Sequence, residues 1–223
     1  MAYTNKQFFD LVRSDVITDA KRSGILASLT AAQAFIESGS GNSGLTQKAN
    51  ALFGIKGSYK GMSVTMNTQE WSASKGYYTV SAQFRAYPSW RESIQDHNDF
   101  LLKNKRYHNL IGVKDYKVAC QLIHQDGYAT SPTYAQTLIN TIERFALYEW
   151  DLEKPFVPYA ATVTASWLKV RSGAGSNYPV VMHSAGEYHL EKGLCVAVHG
   201  EAGDWCKISP DRNRWISKKY IQK

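Results

Sequence analysis

Between Asp19 and Glu70 the chain holds a single carboxylate, Glu37, and it closes an apolar run within the segment SLTAAQAFIESGSGNSGLTQKANALFGIKG, residues 28–57. Leu29, Ala32, Phe35 and Ile36 recur at three- and four-residue spacing, which predicts a largely buried helix over 30–38 that stops at Gly39. Glu37 then lies in the last helical turn, where burial and the negative end of the helix dipole both disfavour a charged carboxylate. A carboxyl held protonated near neutral pH can protonate a leaving-group oxygen as a general acid. The plainer alternative is a solvated glutamate at a helix end.

Other reactive types are less well placed. Cys120 and His124 lie four apart on one helical face, a spacing open to a cysteine amidase or peptidase. But Val118, Leu122 and Ile123 make that helix a core element, and a nucleophilic thiol is usually activated at a helix N-terminus. The six histidines, among them His97, His108 and His124, show no HExxH or comparable ligand spacing. No metal and no organic cofactor are expected. Cys120, Cys195 and Cys206 cannot all pair and form no CxxC, so free buried thiols are expected rather than a disulfide framework.

Composition bounds the rest. The 223 residues, 43% hydrophobic with only 6 Pro, describe folded protein. The net charge of +7 is shared: residues 1–150 carry 16 Lys or Arg against 12 Asp or Glu, and residues 151–223 carry 10 against 7. Without a dense basic tail, this favours a diffuse polyanionic surface over nucleic acid as a partner, or simply keeps the protein soluble. The opening MAYTNKQFFDLVRSDV reads as an amphipathic helix with Phe8, Phe9, Leu11 and Val12 inward, not as a signal peptide. No apolar stretch is long enough to span a bilayer. A monomer without nucleic-acid or membrane partners is expected.

The elements that must position Glu37 are read from periodicity. After the first helices, MSVTMNTQEW and YYTVSAQFRAY alternate as two strands joined at Ser74, Lys75 and Gly76, a hairpin lobe. Ser89 and Glu92 predict a capping box opening a helix to about Asn104, and a further helix covers about 115–125. The last begins with Ser131 as N-cap and Pro132 at its first position, with Leu138, Ile142 and Phe145 facing the core. DLEKPFVPYAA breaks the pattern as a linker over 151–160. The remainder, 161–223, reads as strands and turns around Val170, Val196, Val198, Trp205, Ile208 and Ile216. The expected class is α+β: a mainly helical unit, 1–150, with a small β-hairpin lobe, followed by a small all-β unit.

AQAFIESG, followed by SGLTQKANALFGIKG, resembles the glucosaminidase domain of family 73 glycoside hydrolases, over roughly residues 5–150. The resemblance implies a lysozyme-like plan and a substrate in bacterial peptidoglycan, the β-1,4 bond between GlcNAc and MurNAc. It assigns Glu37 as catalytic acid. Asn50, Leu52, Phe53, Gly54, Ile55 and Lys56 match the NLFGIKG pattern, with Ala51 inserted. A second carboxylate would activate water or stabilise the charge developing on the sugar ring, and the resemblance points to Glu70 in Thr68-Gln69-Glu70. Read alone, Glu70 is a solvated strand-edge residue. Participation by the substrate's own N-acetyl group is a further option. Tyr128 and Tyr134 match the family's YAT-x-P-x-YA pattern. Tyr134 is expected to meet the N-acetyl group or the developing charge, and Phe53, Phe84, Tyr87 and Tyr128 to line the cleft, although aromatics at such spacings are often core.

LKVRSGAGSNYPVV, KGLCVAVHGEAGDWCKI and WISKKYI resemble a bacterial SH3 domain of the kind attached to wall hydrolases. That implies an SH3-like barrel binding the peptide part of peptidoglycan through the 171–178 loop, Trp167 and Tyr178. A wall hydrolase without an export signal fits a phage endolysin held in the host cytoplasm until release, and otherwise an extracellular autolysin. The alternatives are a lytic transglycosylase, a muramidase of lysozyme-like fold, or a non-catalytic wall-binding protein.

Overall fold

The computed structural model describes residues 2–72, 76–152, 156–184 and 186–223. Helix α1, Asn5–Ser23, opens on a capping box. The Thr4 hydroxyl accepts from the Gln7 N–H, and the Gln7 side chain accepts from the Thr4 N–H. Its Phe8, Phe9, Leu11 and Val12 are buried as the sequence predicts. Helix α2, Ala27–Ser38, begins three residues earlier than expected and ends at Gly39, whose φ of 57° is the left-handed conformation that lets a helix terminate. Its own N-cap position, Leu26, has no side chain able to cap. Asp151 supplies the cap from afar: the Ser28 N–H and hydroxyl donate to its two carboxylate oxygens at 2.9 and 2.7 Å. A carboxylate there also complements the positive end of the α2 dipole. Asp151 sits in a 3-10 turn, Leu147–Leu152, packed on α2, so that end of the expected linker is part of the helical unit.

Beyond α3, Gly44–Ala49, the NALFGIK stretch joins helix to hairpin. Asn50, left-handed at φ 51°, donates its side-chain amide to the Tyr87 and Pro88 carbonyls. The Arg85 N–H donates to the Ile55 carbonyl and the Gly57 N–H to that of Gln83, so the stretch pairs along the second hairpin strand. The hairpin is β1, Ser63–Ser72, with β2, Gly76–Arg85, in antiparallel register from Ser63 opposite Arg85 to Ser72 opposite Gly76. Of the turn expected at Ser74, Lys75 and Gly76, the first two residues lie outside the described residues. Arg85 and Tyr87 tie the hairpin base to α4, Trp90–Lys103. The Arg85 guanidinium contacts both Asp96 oxygens, at 2.9 and 2.7 Å, and the Tyr87 hydroxyl donates to Asp96 at 2.8 Å.

Two helix starts differ from expectation. At Ser89 the hydroxyl accepts from the Arg91 N–H and contacts the Glu92 carboxylate, so Glu92 meets a side chain rather than the backbone N–H that a capping box requires. Helix α5, Tyr116–Gln125, starts at its Asp115 cap. Helix α6, Tyr134–Arg144, begins after Ser131 and Pro132. There the Ser131 hydroxyl bonds that of Thr133 and its carbonyl accepts from the Tyr134 N–H, which makes a turn instead of a cap. Leu138 and Ile142 are fully buried.

Among the described residues the C-terminal region is built of ten short strands and one 3-10 turn, Lys218–Tyr220: β3 Tyr159–Val163, β4 Leu168–Lys169, β5 Met182–His183, β6 Gly186–Glu187, β7 His189–Leu190, β8 Cys195–Val198, β9 Gly200–Ala202, β10 Trp205–Lys207, β11 Trp215–Ser217 and β12 Ile221–Gln222. Among the described residues these pair as β9–β10–β11, β8–β3–β12, β4–β7 and β5–β6. Val170, Val198 and Ile216 are wholly buried in their core, as expected, whereas Trp205 packs on the helical unit's core instead. Trp215 joins that same helical core at 1% exposure. The two regions also meet through an ion pair, Lys207 Nζ to Asp15 Oδ2 at 2.9 Å, whose side chains are 3% and 11% exposed. Beside it, the Arg91 guanidinium donates to the Pro210 carbonyl. No helix of the described residues is long and apolar enough to cross a membrane.

Candidate active site

Glu37 occupies the penultimate position of α2 and is exposed as a residue, not buried as the sequence suggests, while its carboxyl meets the buried Tyr134 that opens α6. The Tyr134 hydroxyl donates to Glu37 Oε1 at 3.0 Å, and the Gln33 amide Nε2 donates to the Tyr134 oxygen at 3.2 Å. Gln33 and Glu37 are one helical turn apart, hence on one face of α2. Burial raises the Glu37 carboxyl above its ordinary 4.5, and the Tyr134 hydrogen bond offsets part of that rise. A carboxyl raised by burial and steadied by one donor can give up a proton and have the resulting charge met.

The Tyr134 phenol is raised too, by burial first and then by the neighbouring Glu37 charge, so it stays a neutral donor. Tyr128 stacks on Tyr134 with ring centroids 6.0 Å apart and planes at 17°. Behind it His97 lies edge-on to Tyr128 at 5.7 Å and face-on to Phe53 at 3.8 Å. Burial lowers His97 to about 4, which keeps this wholly buried ring neutral. Phe53, Tyr128 and Tyr134 are thus linked to Glu37 by one continuous aromatic stack that runs into the core, and Phe53, 6% exposed and covered by His97, does not present the cleft face expected of it.

Phe84 and Tyr87 stand differently. Tyr87 is 5% exposed with its hydroxyl committed to Asp96, so it fastens the hairpin and does not present a sugar-binding face. Phe84 is 8% exposed on β2, opposite Val64 and bridged to Lys56, again at the hairpin base. Glu70 is in β1 opposite Tyr78, seven residues beyond Ser63, which puts it roughly 23 Å along the strand from the base. Its side chain lies outside the described residues.

In the C-terminal region Trp167 is 58% exposed and stacks on His189. With Arg171, Trp205, Ser176 and Tyr220 it lines a groove of about 500 Å³. Tyr178 does not line this groove. It is 8% exposed, folded over Gly173, where an added Cβ would come within 2.3 Å of its ring, and it faces Tyr3 and Gln7 of the helical unit.

Cys120 is fully buried and its thiol is pushed up to about 12, chiefly by desolvation, which removes it as a nucleophile. All three cysteines are free, and Cys195, expected to be buried, is exposed. Gln33 and Asp151 were not singled out by sequence as functional. Gln33 carried a usable signal, its four-residue spacing from Glu37, whereas Asp151 acts across 123 residues and carried none.

Exo-glucosaminidase LytG of Bacillus subtilis is 40% identical over 136 residues, covering 59% of this chain and 48% of the relative. A probable N-acetylmuramidase of Lactococcus lactis subsp. cremoris is 32% identical over 156 residues, 66% of this chain and 35% of that protein. The chain therefore spans about half, or less, of these curated relatives. Among solved structures, the catalytic domain of the autolysin Auto from Listeria monocytogenes superposes with a TM-score of 0.62 at 36% identity, over 68% of this chain and 90% of that one. The helices with one small hairpin thus form a lysozyme-like glucosaminidase fold, α+β in class. With the family model described as mannosyl-glycoprotein endo-beta-N-acetylglucosaminidase matching residues 13–147, this chain belongs to the glucosaminidase family.

Proposed function

We propose that the chain is a glycoside hydrolase of bacterial peptidoglycan that cuts the β-1,4 bond between GlcNAc and MurNAc within the strand. The observation that carries this reading is the Tyr134–Glu37 contact: a carboxyl raised by local desolvation, with a neutral phenol placed to meet the charge left after proton donation. Family membership and relatives named as a glucosaminidase and an autolysin support the substrate class. Glu37 protonates the glycosidic oxygen, Tyr134 holds the conjugate base, and the Tyr134–Tyr128 face packs the sugar ring. Glu70, carried in on the hairpin, assists water or the oxocarbenium ion. The C-terminal β region acts as an SH3-type module holding the wall's peptide in the groove around Trp167 and Arg171.

A second reading, cleavage on the other side of MurNAc, has the support of the relatives named as N-acetylmuramidases. Mass spectrometry of digested walls separates the two. GlcNAc at the new reducing ends is the expected result; MurNAc there would establish the muramidase reading, and an anhydro sugar would overturn hydrolysis. Because one relative is named an exo-enzyme, product length matters as well. Early release of long fragments marks cutting within the strand.

A further inference from the structure

We propose that Gln33 is a positioning residue for this site: its buried amide donates to the Tyr134 oxygen and thereby directs that hydroxyl's one proton to Glu37. The proposal rests on the hydrolytic reading above for its purpose, though not for its geometry. A phenol has one proton to give and can accept through its oxygen. With Gln33 Nε2 at 3.2 Å from that oxygen and Glu37 Oε1 at 3.0 Å, the donors line up as Gln33 to Tyr134 to Glu37. Turned round, the same amide would present its oxygen to Tyr134 and draw the proton away from Glu37. The observed direction ends on the group that becomes an anion when the acid has acted, and each bond polarises the next.

The burial of Gln33 makes a merely structural role a poor explanation. The side chain is 0% exposed, and its Oε1 has no hydrogen-bond partner among the described residues. A buried carbonyl left unpaired destabilises the fold, and a methionine of similar length would fill the space without it. Among the described residues, the amide's one side-chain hydrogen bond is with Tyr134.

The test is a titration of the Glu37 carboxyl by carbon NMR on the full chain, wild type against Gln33→Met and Gln33→Leu, with melting temperatures alongside. Without the amide donor the Tyr134 hydroxyl is a weaker and less oriented donor, so the Glu37 midpoint should rise by about half a pH unit or more. The melting temperature should not fall. In the same variants the alkaline limb of wall hydrolysis should move up with the titration while kcat drops. A folded variant with an unchanged Glu37 midpoint overturns the proposal, as does a lowered melting temperature with no change in titration. Should both variants fail to fold, the wild-type chain and Tyr134→Phe decide it: the Gln33 side-chain amide resonances must move when their acceptor is removed, and an unmoved signal refutes the contact. If Glu37→Gln were still to hydrolyse walls, the hydrolytic assignment would fail while the titration result stood.

Discussion

Tyr134 and Glu37 are 97 residues apart in the chain and 3.0 Å apart in the fold, at the start of one helix and the end of another. The pairing joins two opposed influences on one carboxyl. Burial favours its neutral form and the phenol favours its charged form, the two states a general acid passes between.

Replacing Glu37 by Gln keeps the shape and removes the proton. Wall hydrolysis should fall about 100-fold or more, measured as turbidity loss against time, with wall binding retained. Stability should respond in the opposite sense. The folded carboxyl is raised above 4.5, so its neutral burial favours folding fully below that pH and the benefit is lost as pH rises through the folded value. Glu37→Gln should therefore melt higher than wild type at pH 7 and no higher at pH 4. Equal melting temperatures at both would show that the carboxyl is not raised.

Tyr134→Phe removes the one donor that lowers the Glu37 carboxyl. The acid then holds its proton to higher pH, and the alkaline limb of kcat against pH should move upward. At the optimum kcat should drop about tenfold or more, because the conjugate base is no longer met. A lower kcat with a fixed alkaline limb would point to lost ring packing instead.

How much of this was legible in advance divides along physical lines. The α2 helix, its stop at Gly39 and the hairpin strands follow from local period and glycine, and the sequence placed them within a few residues. Tyr134 was found through a motif, and its hydroxyl geometry through the fold alone. Asp151 as a cap, Tyr87 as a fastening and Trp215 in the helical core depend on chain segments that meet only after folding. Aromatic residues were hardest to sort, because a ring that binds sugar and a ring that fills a core have the same side chain.

Arg85→Met should detach the hairpin base. Asp96, 8% exposed, would lose its cationic partner and keep only the Tyr87 hydroxyl, at a cost of about 2 kcal/mol or more once the 26% exposure of Arg85 is allowed for. Urea unfolding measures that loss. Under conditions where the variant stays folded, hydrolysis should fall further than the folded fraction does if Glu70 has the role proposed for it, since that residue belongs to the hairpin. A parallel fall in both would leave the hairpin a structural role alone.

Trp167→Ala in the full chain should weaken sedimentation with purified walls at least several-fold while leaving cleavage of short soluble glycan fragments unchanged. Binding that survives the change would exclude the groove as the wall contact.

Lys207 and Asp15 are almost entirely shut off from water, and parting them would strand a charge in the protein at a cost of about 3–5 kcal/mol. The C-terminal β region is therefore no tethered anchor swinging on a flexible leash. Its groove around Trp167 keeps a set bearing from Glu37, as the two jaws of a calliper do, so that any ligand held there lies at a fixed reach from that carboxyl.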